Sequence, residues 1–450
     1  MTRPNILVVL SDQQRPDSCG VFGQRLAVTP RLDRLAADGV AFDNAFTIQP
    51  VCGPARAAIQ TGSYPTTTGC WRNGIALPPG QATLADRIDD LGYQTGYVGK
   101  WHLASDRGAA LPIGRSPARF ERRPVPPERR GGYRDCWVAA DALEHTSGAV
   151  SGHVFDEHGQ RVELSGYRVD ALTDIAIDRL GRFDTDRPFL LFVSFLEPHH
   201  QNNRFRAVGP EGWAARFSDF DRPEDLPAWR GDWRWNYAEY LACCASIDTN
   251  LGRMVDHLER SGRLDDTLVV FSSDHGNHFR TRNLEYKRSP HDASLRIPLV
   301  LRGPGFRGGQ RRQDMATSLD LLPTLVVAAG GDDPCLDGRP LQLANERTRR
   351  RIRPDQRVPD RPGTAHSKPH LRGQGPRPEP ARWTSTPGIR CVRRLPPVRQ
   401  RQRSAPTPEP GERSGYVRAA QRAAVQARGT DPRGGGSSTG HPCPLTELHR

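Results

Sequence analysis

The chain has 450 residues, with 64 Lys+Arg against 51 Asp+Glu and a net charge of +13. That length excludes a minimal disulfide- or metal-stapled fold and allows a large buried core. The charge invites a nucleic-acid partner, but its distribution argues against one: residues 346–450 carry 23 basic and 8 acidic side chains, leaving 41 and 43 for residues 1–345.

Asn5–Leu10 is a continuous apolar run, read as a buried parallel strand ending at Ser11-Asp12. Thr29-Pro30 followed by Leu32, Leu35 and Ala36 reads as a capped helix that stops at Gly39. A second helix is expected from a Thr83 cap to Gly92, then a short strand, Thr95–Val98, running into Gly99-Lys100-Trp101-His102. Gly108–Gly166, rich in Arg, Pro and Gly, reads as a long irregular excursion, which in a compact domain is usually functional. Val169–Leu180 has helical periodicity, and Phe189–Phe195 is a second buried strand, ending at Glu197-Pro198-His199-His200. A long helix, Asn236–Arg260, precedes a strand at Leu268–Ser272 that ends in Ser273-Asp274-His275-Gly276. A strand at Ile297–Leu301 and a helix at Leu319–Ala329 follow. Alternating strands and helices predict an α/β fold with a mixed, largely parallel central sheet and helices on both faces.

The remainder differs in kind. Residues 346–450 hold 16 of the 40 prolines, 22 arginines and one lysine, with little apolar periodicity. The expected organisation is a catalytic domain over 1–345 and an Arg/Pro-rich, disordered or frameshifted segment over 346–450. Nine cysteines without C-x-x-C spacing give no zinc knuckle and no disulfide framework. No run reaches the length of a membrane span, and Ile6–Leu10 is too short for a signal-peptide core, so a cytoplasmic location without a membrane partner is expected.

Three apolar strands end in Ser-Asp, Glu-Pro-His-His and Ser-Asp-His, which puts acid/base and metal-ligating groups at one sheet edge, where open α/β sheets bind ligands. Only three lysines occur in the chain, Lys100, Lys287 and Lys368. Where nearly every cation is arginine, a retained ammonium suggests a need for a compact, flexible point charge. The remaining signal is Cys52-Gly53-Pro54-Ala55-Arg56 with Thr61-Gly62 downstream. Pro54 in a first helical turn sets Cys52 at a helix amino terminus, where backbone N–H groups favour negative charge. A lone cysteine is usually a packed thiol; the surrounding motif reverses that expectation.

Cys52–Arg56 matches the signature C-x-P-[SA]-R, and with Asp12-Gln13, the GKWH segment at 99–102, His199, Asp274-His275 and the 286–305 segment in the same order, the chain over roughly residues 3–340 resembles the formylglycine-dependent sulfatases of the alkaline phosphatase superfamily. The resemblance implies hydrolysis of an organic sulfate monoester. It implies that a formylglycine-generating enzyme oxidises Cys52, and that one hydroxyl of the hydrated aldehyde attacks sulfur. It implies a divalent cation held by Asp12, Gln13, Cys52, Asp274 and His275. Ca²⁺ is the first candidate, with Mn²⁺ or Mg²⁺ as alternatives given the imidazole. Arg56 would hold the diol and carboxylates, Lys100 and Lys287 the sulfate, His102 would be the base, and His199 the general acid, with His200 as fallback. Asn73 and His291 are further candidate substrate contacts. His278 is expected to be peripheral.

A phosphonate monoester or phosphodiester hydrolase of the same superfamily is the competing reading, since those relatives can share the nucleophile motif and the Asp-His pair. Nucleic-acid binding through the arginine-rich tail is disfavoured, because the tail lacks interleaved aromatics.

Overall fold

The computed structural model describes residues 3–342, except 108–116, 202–203, 333 and 335. The segment over 346–450 lies outside the described residues. Ten strands form one sheet: β1 (Asn5–Asp12), β2 (Val40–Phe46), β3 (Gln94–Lys100), β4 (Cys136–Ala140), β5 (Ser151–Phe155), β6 (Arg161–Ser165), β7 (Phe189–Pro198), β8 (Thr267–Ser273), β9 (Leu299–Arg302) and β10 (Gln310–Thr317). Their order is β10-β2-β9-β8-β1-β7-β3-β4-β5-β6. The centre, β8-β1-β7-β3-β4, is parallel throughout. Antiparallel pairs set β9 between β8 and β2, and add β5 and β6 beyond β4.

The centre forms because its strands are apolar on both sides. In β1, Ile6, Val8 and Leu10 enter one hydrophobic cluster and Leu7 and Val9 the other. The first cluster is completed by α2 (Cys52–Thr61), α4 (Leu84–Asp89) and α9 (Leu321–Ala328); α3 (Pro65–Thr68) follows α2 directly. The second is completed by α1 (Pro30–Asp38), α6 (Arg168–Arg182) and the 28-residue α7 (Trp233–Arg260). Short α5 (Leu143–Thr146) and α8 (Asp292–Leu295) lie at the carboxyl side of β4 and after the β8 loop. Helices therefore cover both faces, as the alternation predicts.

Several local expectations are corrected. The excursion is not irregular: its described part contributes β4, α5, β5 and β6. A five-residue apolar run inside Arg/Pro-rich sequence was too short to register as a strand. β7, buried along its whole length, and β1, buried from Ile6 on, extend through Pro198 and Asp12, carrying polar residues into the core edge. Thr29 gives α1 no side-chain cap; Asp248 of α7 does so across the interface, accepting from the N–H groups of Arg31 at 3.0 Å and Leu32 at 2.7 Å. Thr83 does cap α4, in a reciprocal box with Asp86. Pro298 removes a donor, so the strand expected from Ile297 starts at Leu299.

Candidate active site

The carboxyl ends of β1, β3, β7 and β8 meet the amino terminus of α2. Cys52 is the first residue of α2 and only 1% exposed. The preceding turn is fixed from outside, because Asn73 Oδ1 accepts from the Gly53 N–H at 2.8 Å. A Cβ on Gly53 would stand 2.9 Å from that oxygen, so a larger residue here would require the Asn73 side chain to shift.

Around the thiol, Lys287 Nζ lies 2.7 Å from Sγ, His275 Nε2 3.3 Å and Asp12 Oδ1 3.6 Å. Burial alone would raise the Cys52 thiol, but Lys287, Lys100 and His275 pull it well below the ordinary range. Anionic character at residue 52 is thus built into the pocket.

Arg56, one turn along α2, is the clamp. Its Nε donates to Asp274 Oδ2 at 3.2 Å and its Nη2 to Asp12 Oδ2 at 3.1 Å. Nη1 donates to the Lys100 carbonyl at 2.8 Å and to Ser194 Oγ of β7 at 2.7 Å. One guanidinium therefore ties α2 to β1, β3, β7 and β8. A lysine could not reproduce this fork.

Lys100, fully buried at the end of β3, donates to Asp12 Oδ2 at 2.8 Å and sits 3.4 Å from Glu144 Oε2. Burial would lower its pKa, but Asp12 and then Glu144 raise it, so it stays an ammonium. Gly99 makes the placement possible: φ is +107° and an added Cβ would lie 2.0 Å from the Ser194 carbonyl oxygen.

The ligating atoms of Asp12, Cys52, Asp274 and His275 all lie within 4.8 Å of one another. His275 Nδ1 is engaged with the Gly276 carbonyl at 2.9 Å, which turns Nε2 toward the cluster. Gln13 adopts φ 71°, its backbone N–H donates to Asp274 Oδ1 at 3.0 Å, and both polar atoms of its fully buried amide lack a hydrogen-bond partner. An orphaned buried amide beside two carboxylates and an imidazole is what a site for a hard divalent cation leaves when described by protein atoms alone. The residues fit the cation that the family implies.

His199 Nε2 lies 3.2 Å from Lys287 Nζ, with Nδ1 engaged by the His200 carbonyl at 2.8 Å. His200 does not make this contact. It is stacked between His199 and Tyr286, and burial, then His199 and Lys287, push it down to about 2. His102 takes a positive φ of 63°, its N–H is held by the Asp141 carbonyl at 2.7 Å, and its buried Nδ1 has no partner. His278, expected to be peripheral, supports the site indirectly: Nε2 contacts the Lys287 carbonyl at 3.0 Å.

Asp12, Gln13, Cys52, Arg56, Asn73, Lys100, His199, Asp274, His275 and Lys287 are thus brought together, with His102 on the adjoining loop. His291 is not joined to them; it is exposed and precedes α8, where its carbonyl accepts from Ser294 and Leu295. Three residues escaped sequence reasoning: Ser194, Asp141 and Glu144. Asp141 accepts from Ala104 N at 2.8 Å and binds Ser105 Oγ, so it fixes the loop that carries His102. The available signal was an Asp-x-x-Glu pattern just past a short apolar run, at the same edge as the other strand ends.

Among the described residues no helix is long and apolar enough to cross a membrane. The model of the sulfatase family matches residues 4–331. An ulvan-active sulfatase of Formosa agariphila is 32% identical over 341 residues, which cover 72% of this chain and 61% of that protein. An N-acetylglucosamine-6-O-sulfatase of Bacteroides thetaiotaomicron is 26% identical, covering 74% of this chain and 69% of its own length. The crystal structure of a yidJ protein from Bacteroides fragilis superposes with a TM-score of 0.64 at 29% identity, covering 76% of this chain and 78% of that one. The first of these relatives is thus spanned over less than two thirds of its length. With a match across the whole described sheet and its site, the chain belongs to the sulfatase family.

Proposed function

We propose that the chain hydrolyses sulfate monoesters, with sulfated saccharides as the substrate class, and that the catalytic segment lies within residues 1–345. The observation that carries this reading is the cationic surround of residue 52 at the amino terminus of α2: Lys287 contacts it directly, and Arg56 and Lys100 both pair with Asp12, which lies 3.6 Å from its Sγ. Sulfatases acting on saccharides among the relatives support the substrate class.

Asp12, Gln13, Asp274 and His275 would hold a divalent cation, Ca²⁺ first and Mn²⁺ or Mg²⁺ after it; bound, it would polarise a sulfuryl oxygen and acidify a neighbouring hydroxyl. A formylglycine-generating enzyme acting on Cys52 would place a hydrated aldehyde there, supplying the nucleophilic hydroxyl. The chain's own residues do the rest. Lys287 and Lys100 hold the anionic group against the α2 amino terminus. Asn73 orients that terminus through its oxygen, and its amide nitrogen remains for a sulfuryl oxygen. His102 takes a proton from the residue-52 side. His199, with Nδ1 pinned, presents Nε2 to the departing alcohol.

The test is sulfate release from sulfated monosaccharides by protein co-expressed with the converting enzyme and loaded with Ca²⁺. The Cys52 peptide should be lighter by the exchange of sulfur for oxygen and the loss of two hydrogens. An unmodified thiol in active protein would overturn the mechanism. A kcat/KM favouring a phosphonate monoester or phosphodiester by orders of magnitude would replace the sulfate reading with its competitor.

A further inference from the structure

Glu144 is a largely enclosed carboxylate that the reaction above does not use. Its side chain is 10% exposed, Oε2 has no hydrogen-bond partner, and that oxygen faces the Lys100 ammonium at 3.4 Å. The placement follows from topology. β4 pairs in parallel with β3 so that Ala140 stands beside Lys100, and the chain then turns into α5 with Glu144 in its first turn.

Around residue 52 three cations, Arg56, Lys100 and Lys287, are matched by three carboxylates, Asp12, Asp274 and Glu144. Asp12 and Asp274 also belong to the candidate cation site. Glu144 does not, so it adds negative charge beside Lys100 without serving the cation site. Lys100, Arg56 and Lys287 attract any tetrahedral anion, and the attraction grows with the anion's charge. A fixed carboxylate beside Lys100 opposes that growth. The proton state of Glu144 supports a permanent charge: burial would raise its pKa, but Lys100, His102 and His199 hold it down at about 2.

We propose that Glu144 is a specificity-determining residue, a fixed negative charge beside Lys100 that selects singly charged ester groups over doubly charged ones. A sulfate monoester carries one negative charge, whereas a phosphate monoester above its second pKa carries two. Specificity of this kind comes from a repulsive element built against the competitor. The proposal deepens the sulfatase reading and rests on it for its physiological substrate. It does not separate sulfate monoesters from phosphonate monoesters or phosphodiesters, which are also singly charged.

The experiment measures binding without turnover. Phenyl sulfate and phenyl phosphate are titrated calorimetrically at pH 8 into Ca²⁺-loaded full-length protein carrying Cys52→Ala, with and without Glu144→Gln. One unit charge removed at close range should tighten phenyl phosphate about tenfold or more while phenyl sulfate tightens clearly less. Glu144→Asp, which keeps the charge, should retain the parent selectivity, and Glu144→Ala provides the neutral comparison if the Gln variant does not fold. Equal tightening of both ligands, or no change in their ratio, overturns the proposal. If protein with converted Cys52 releases no sulfate from any ester but the ratio shifts as stated, the reaction assignment fails and the charge selection stands.

Discussion

The α2 turn and the β3–α6 excursion reach the same pocket by opposite routes. In the α2 turn, chemistry and architecture are written in adjacent residues: Cys52, the proposed reactive position, opens the helix, Gly53 gives its N–H to Asn73, Pro54 lies in the first turn, and Arg56 is the clamp. In the excursion, Asp141 and Glu144 gain their place only because β4 docks in register on β3. A motif can announce the first kind of residue. The second kind is created by strand pairing and is invisible until the sheet is assembled.

If that contrast is sound, substitutions should grade from loss of chemistry in α2 to loss of positioning in the excursion. Cys52→Ala should reduce kcat/KM for sulfate release by about 10⁴-fold or more without lowering the melting temperature, as expected if the residue supplies the nucleophile as proposed. Measurable turnover within tenfold of wild type would break the assignment. Arg168→Ala addresses the seam between the regions. This fully buried guanidinium, at the start of α6, donates to Glu197 Oε1 at 2.6 Å, just ahead of Pro198-His199, and to the Gly148 carbonyl of the excursion at 2.7 Å. Removing it leaves Glu197 buried and unpaired, a cost of about 3–5 kcal/mol in chemical denaturation.

Asp141→Ala should then lower kcat about tenfold with KM little changed, because it releases the loop bearing His102 but spares Lys100 and Lys287, the lysines proposed to hold the anion. A passive excursion would show no effect on kcat. His291→Ala is the smallest change, within about twofold in kcat/KM, as expected for an exposed residue away from the cluster. A tenfold loss there would mean that a bound saccharide extends over α8.

What could be read in advance follows the same division. β1, β7 and β8 are apolar on both faces, so their runs were plain, and their terminal Asp12, His199 and Asp274 could be placed at one edge. β10 could not be recognised, because as an edge strand it alternates exposed polar residues and carries Arg311 and Arg312. The α1 cap was misassigned because the group that does the work, Asp248, lies 216 positions from Leu32 in sequence. The His199/His200 ambiguity was of another type. Neighbouring identical residues differ only in which way the backbone turns them, and that is decided by packing on Tyr286.

The near-complete burial of Cys52 also imposes an order of events on biosynthesis. The pocket is closed over the thiol by Lys287, 235 positions later in the chain. At typical synthesis rates of about 5–20 residues per second, that separation gives a window of roughly 10–50 s between the emergence of Cys52 and the arrival of the residue that covers it. Any enzyme that alters Cys52 must reach it as an extended peptide, within that window or before folding closes. With the conversion proposed for Cys52, occupancy of the modified state would be set by a race between two rates, and a mutation that speeds folding would yield a more stable protein with fewer converted sites.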